Sequence, residues 1–156
     1  MKYLLSIIML FLNTTIFAQI KDLGNMPETK RDKALVKYSK KIVKQFGPAF
    51  YNDCQYWTIT EKIFRDTSLK KNGLHYYVIA FFENKEKRQK GWDYCSRVFI
   101  WKDSGIAFYY GSTEQTGIGL EGEHYKNAIK QNIKFTKDNE ILYTDSIGKR
   151  KKYKLK

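Results

Sequence analysis

The chain has 156 residues, with 29 Lys plus Arg against 16 Asp plus Glu, a formal charge of +13. That is one domain's length, and 42% apolar residues suffice for a single core, so neither a multidomain architecture nor a disordered chain is expected. The positive balance favours polyanions of any kind, but it bears on association and solubility and not on fold.

The N-terminus predicts export. Lys2 precedes an apolar run over 3–12, a polar patch at Asn13, Thr14 and Thr15, and a small residue at Ala18. A positive n-region, an apolar segment of about 10 residues and a small residue at the cut describe a secretory signal peptide, whereas a membrane span needs about 20 apolar residues. The expected organisation is a signal peptide over 1–18 and a single α+β domain over 19–156, located in the periplasm or outside the cell. Export leaves nucleic acid as the least available polyanion, so no specific nucleic-acid partner is expected.

A helix is expected from Pro27-Glu28-Thr29 to the stop at Gly47-Pro48. Leu35, Tyr38, Ser39, Ile42, Val43 and Phe46 share one face at the 3.6-residue period; Lys33, Lys37, Lys40, Lys41 and Lys44 lie elsewhere, as on a solvated exterior. The run 55–64 then reads as a first strand, with Trp57, Ile59 and Ile63 alternating with Thr58, Thr60 and Lys62.

Three further strand-like runs, 74–83, 92–101 and 106–111, hold eleven aromatic residues and are separated by turn chemistry, the pattern of an antiparallel meander. Pairing Glu83 with Trp92 assigns two faces at the period of two. One holds His75, Tyr77, Ile79, Phe81, Val98, Ile100 and Tyr109; the other holds Tyr76, Val78, Phe82, Arg97, Phe99, Trp101, Phe108 and Tyr110. Both are too apolar for open water. One should take the helix and the other a later segment, a partner or a ligand.

The stretch 111–123 turns to Gly, Thr, Glu and Gln and reads as a loop. Gly117-Ile118-Gly119-Leu120-Glu121-Gly122 matches G-x-G-x-x-G in letters, but a dinucleotide site needs a parallel strand inside a βαβ unit, and the surroundings read antiparallel. A short helix over 121–131 and a C-terminal hairpin follow, and six of the last eight residues are Lys or Arg.

Cys54 and Cys95 are the only cysteines, and in an oxidising compartment a pair points to a disulfide. In a simple meander one strand separates them by about 9.6 Å, twice the usual spacing, while the bond needs Cα atoms within about 7 Å. The disulfide therefore requires Cys54 to lie in the connection before the first strand and fold over the sheet. His75 and His124 do not cluster with the thiols in any metal-ligand spacing, so no metal and no cofactor are expected. No nucleophile elbow occurs, and nothing in the spacing of Glu61, Glu83, Asp93, Glu114, Glu121 and Glu123 selects an acid pair.

The expected architecture is an N-terminal helix packed on a curved antiparallel β-meander sheet of five to seven strands. This order is similar in outline to cystatin-like folds, with no family motif beside it; the alternative is a small β-barrel with an N-terminal helix. The expected function is a non-enzymatic secreted or periplasmic binding module for a protein or small ligand, with Tyr77, His75, Tyr109 and Glu114 as candidate contacts. Two alternatives stand beside it: an anionic-surface binder for lipid or glycan, and a small hydrolase with an unmarked acid pair. No catalytic residue is assigned.

Overall fold

The computed structural model describes residues 19–66, 70–91, 93–113, 116–145 and 147–154. The expected signal peptide, Trp92 and Glu114 lie outside these.

Helix α1, Glu28–Phe46, starts after Pro27 and ends at Gly47, and its buried residues are Leu35, Tyr38, Ser39, Ile42, Val43 and Phe46, the face that the period implied. Its lysines are less uniform than expected: Lys40 is partly covered, with its Nζ 5.6 Å from the centre of the Trp57 ring. Gly47 ends the helix where any side chain would run into the Tyr110 ring. A 3₁₀ turn, Pro48–Asp53, then leads to the sheet.

Five antiparallel strands follow in sequential order: β1 Tyr56–Ile63, β2 His75–Phe82, β3 Ser96–Trp101, β4 Ala107–Thr113 and β5 Thr116–Gly119. Between β2 and β3 lies a short helix, α2, Lys85–Lys90, where a loop was expected; Lys87 N donates to the Asn84 side chain at 2.9 Å, and Gly91 closes it at φ +74°. Helix α3, Gly122–Lys130, leads into a separate three-stranded sheet of β6 Lys134–Phe135, β7 Glu140–Thr144 and β8 Arg150–Lys154. The architecture is α+β with two sheets, neither of them closed into a barrel among the described residues.

The register differs from expectation in two ways. Tyr76, not Leu74, pairs with Trp101. A slip of two residues leaves every side chain of β2 and β3 on its assigned face. The second difference reverses a parity: a bulge between Phe99 and Ile100 sets Phe99 opposite Tyr109 but Ile100 opposite Ala107. One extra residue on β4 turns Tyr110 inward, where it is fully buried, and turns Tyr109 to the opposite side of the sheet from His75 and Tyr77.

One buried cluster joins α1 to the inner sheet face and extends to Ala128 of α3 and Phe135 of β6. Tyr110 sits at its centre, with Phe46 at 6.3 Å and Phe135 at 5.6 Å between ring centres. Burial in this layer pushes the Tyr110 phenol well above its ordinary range.

Candidate functional site

The outer face of the five-stranded sheet, opposite α1, carries a group of aromatic residues. Tyr76 of β2, Phe99 of β3 and Phe108 and Tyr109 of β4 are each half-buried there. Tyr76 stacks on Phe99 at 5.8 Å, and Phe99 meets Phe108 and Tyr109 edge-on at 5.9 and 5.0 Å. Such ring pairs hold one another in place, leaving a preformed apolar surface with little side-chain freedom to lose on contact.

Both ends of this surface are tied down. At one end the Trp101 ring stacks on Phe108 at 3.9 Å, its Nε1 donates to Glu121 Oε1 at 2.9 Å, and Phe64 lies against it at 5.5 Å. The second oxygen of Glu121 holds Lys71, whose Nζ lies 4.8 Å from the centre of the same indole. At the other end the Arg97 guanidinium lies between Tyr94 and Phe99, 4.6 and 5.5 Å from their ring centres. Phe82 and Trp101, on the same face, are buried.

The bulge in β4 makes the platform, because it places Phe108 and Tyr109 both toward Phe99. Strand β5 completes the edge. Its glycines are steric requirements: a side chain at Gly117 would enter the space of the Tyr109 ring, and one at Gly119 would crowd His124. The G-x-G-x-x-G run is thus an antiparallel edge strand entering α3, with no βαβ unit around it.

Two of the expected contacts form a different constellation, at the inner-face edge where β2 begins. Glu61 Oε1 lies 2.7 Å from His75 Nδ1 and accepts from Lys102 Nζ, also at 2.7 Å. Lys102 and then His75 hold the Glu61 carboxyl below its ordinary value, and Glu61 in turn raises the Lys102 ammonium. Tyr77 is buried beside them, with the Arg31 guanidinium 5.3 Å from its ring centre. A broad, open cleft of about 720 Å³ adjoins His75 and Lys102 and is bordered by Gln19, Lys21, Asp22 and Asp103. Sequence reasoning grouped His75 with Tyr77 correctly, since residues i and i+2 share a face. It missed Lys102, which comes from the β3–β4 turn and meets Glu61 only in space.

The other acids are engaged elsewhere. Glu83 and Asp93 meet across Lys87, at 2.9 and 3.5 Å, on the exposed rim of α2, and Glu123 pairs with Lys126. Glu61 titrates lower than usual, opposite to the raised pKa that a general acid needs. Among the described residues no group of three or more His, Cys, Asp and Glu is placed to hold a metal ion, and no helix is long and apolar enough to cross a membrane.

Cys54 lies in the connection before β1, the placement that a bond to Cys95 required. Both side chains are buried in the same cluster. No known protein family, curated protein or solved structure matches the chain.

Proposed function

We propose that the chain is a non-enzymatic binding module, exported to the periplasm or beyond, whose outer aromatic sheet face contacts a protein or small ligand. The observation that carries this reading is the row of half-buried rings, Tyr76, Phe99, Phe108 and Tyr109, packed on one another on the face opposite α1. Preorganised aromatic surfaces of this kind give large contact area at small entropic cost, and they recur at recognition sites. The anchoring of Trp101 by Glu121 and Lys71 supports the same reading, because it stiffens a surface that the fold alone does not need to keep open.

The hydrolase alternative draws less support. The constellation with the best acid, Glu61, has both His75 and Lys102 on one oxygen, beside a cleft too open to exclude water. Anionic-surface binding draws on the exposed strand β8, yet Lys151 and Lys152 already have carboxylate partners in Asp145 and Glu140, each at 3.0 Å.

A photo-crosslinking residue placed singly at Tyr76 and at Tyr109 tests the proposal in cells that export the chain, with Tyr51 and Tyr153 as exposed controls away from the face. The expected result is one common crosslinked species from Tyr76 and Tyr109 that neither control yields. Crosslinking from Tyr51 or Tyr153 alone would refute the assignment of the face.

A further inference from the structure

We infer that Cys54 and Cys95 are joined by a disulfide that closes while the chain is folding, before the turn Pro48–Asp53 packs down, and that it then staples this turn to the start of β3. The inference is independent of the binding face.

The two residues come from opposite sides of β2. Cys54 follows the 3₁₀ turn and precedes β1, and its thiol donates to Phe50 O at 3.3 Å, which directs it back over the inner layer. Cys95 immediately precedes β3; its backbone N–H donates to Phe81 O at 2.8 Å, and its Sγ lies 3.3 Å from that same oxygen and 3.7 Å from Asp53 O, the carbonyl preceding Cys54. The thiols thus meet over the end of β2 and not through the plane of the sheet, which removes the one-strand separation that a meander imposes. No other cysteine exists in the chain to compete for either. Both are free thiols in this structure, buried side by side.

Timing follows from burial. Cys54 is 2% and Cys95 8% exposed, so a bulky disulfide donor has no approach to either sulfur once the turn is seated. Contact with the Cys95 thiol, and then burial, push the Cys54 thiol up, which adds to the shielding by disfavouring attack from Cys54 in the folded chain.

The chemistry is ordinary thiol–disulfide exchange with a low-molecular-weight or protein disulfide as oxidant. One cysteine thiolate attacks the donor disulfide, forming a mixed disulfide and releasing one donor thiolate. The second cysteine thiolate attacks the protein sulfur of that mixed disulfide and releases the other donor thiolate. Two electrons pass from the cysteine pair to the donor, and the two cysteine protons end on the two donor thiols.

The experiment refolds the full chain, reduced and unfolded in urea, in a buffer of oxidised and reduced glutathione. Free thiols are then blocked with iodoacetamide in denaturant, and intact mass is measured. The expected product is two hydrogens lighter than the reduced chain, takes up no iodoacetamide until a reductant is added, and melts about 5–15 °C above the reduced folded form. Alkylation of both cysteines after this refolding, or two glutathione adducts, would overturn the bond. In a second arm the reduced chain is folded first and then given oxidised glutathione; closure at least about tenfold slower than in urea is expected from the shielding of the thiols. Equal rates in the two states would overturn closure during folding.

Discussion

The ring of Tyr109 occupies the space that a side chain at Gly117 would need, so the outer aromatic face and the edge strand β5 specify one another. Gly117→Ala should cost about 1–3 kcal/mol through overpacking. Gly24→Ala, with nothing within 4 Å of the added carbon, should stay within about 0.5 kcal/mol. Denaturant unfolding measures both. Tyr109→Ala in the Gly117→Ala background should recover part of the loss, since the two residues compete for one volume; strictly additive effects would mean that the ring does not sit there.

The bulge that puts Tyr109 in that position is also where sequence reading stopped working. Alternation at a period of two is carried by side-chain type, and an inserted residue leaves no compositional mark when the neighbours Phe108, Tyr109 and Tyr110 are all aromatic. Parity therefore failed at β4 but held across β2 and β3, where a register slip of two is silent. Strand β5 was hidden for a related reason: its glycines are demanded by Tyr109 and His124, which lie on neighbouring elements and meet them only in the folded chain. Helix α1 was legible to its last buried residue because its signals, Pro27, the apolar stripe and Gly47-Pro48, are all local. Lys40 shows the limit of that reading, as its partner Trp57 lies on another element.

Phe99 touches Tyr76, Phe108 and Tyr109 and is only half-buried, so Phe99→Ala should fall near the lower end of the about 3–5 kcal/mol seen for buried Phe→Ala changes. Lys41, exposed on α1, is the proper control, and Lys41→Ala should change stability by no more than about 0.5 kcal/mol. Chemical denaturation of the two variants decides it. Equally small effects would show that the outer rings contribute no packing.

Glu61 supplies a pH signature. Its carboxyl is held below the ordinary 4.5 by Lys102 and His75, so the folded state binds fewer protons than the unfolded chain in that region. The resulting stability is present in full above about pH 4.5 and is lost as pH falls through the folded value. The three side chains are a third or more exposed, which limits the effect to about 0.5 kcal/mol. Glu61→Gln should therefore be slightly less stable than the parent at pH 7 and equal to it near pH 3. A gap that widens on acidification would reverse the assignment.

The expected signal cut after Ala18 places Gln19 at the mature N-terminus, one residue before a docked position. Ile20 packs against the core, its N–H donates to Gly105 O at 3.2 Å, and a side chain at Gly105 would strike the Ile20 backbone. Intact mass of the exported chain should match 138 residues from Gln19, less ammonia where the glutamine has cyclised. A product retaining 1–18 would contradict the export reading.

Removal of 1–18 takes Lys2 and lowers the charge from +13 to +12, and the distribution of what remains favours weak and unselective attraction. Lysines are spread over α1, α2 and β8, and several are already neutralised: Lys87 by Glu83, Lys137 by Asp53 at 2.6 Å, Lys151 by Asp145 and Lys152 by Glu140. Backbone and side-chain contacts from 147–151 hold Asp145 below its ordinary value, so this partner stays charged at neutral pH. At physiological ionic strength the Debye length is about 8 Å, and scattered exposed charges lose most of their long-range pull. Binding to heparin or to anionic vesicles should therefore be measurable at low salt and largely vanish at physiological salt. Micromolar binding that survives physiological salt, and that is abolished by neutralising Lys149, Arg150, Lys151 and Lys152 alone, would instead make β8 a dedicated polyanion site and displace the aromatic face as the primary contact surface.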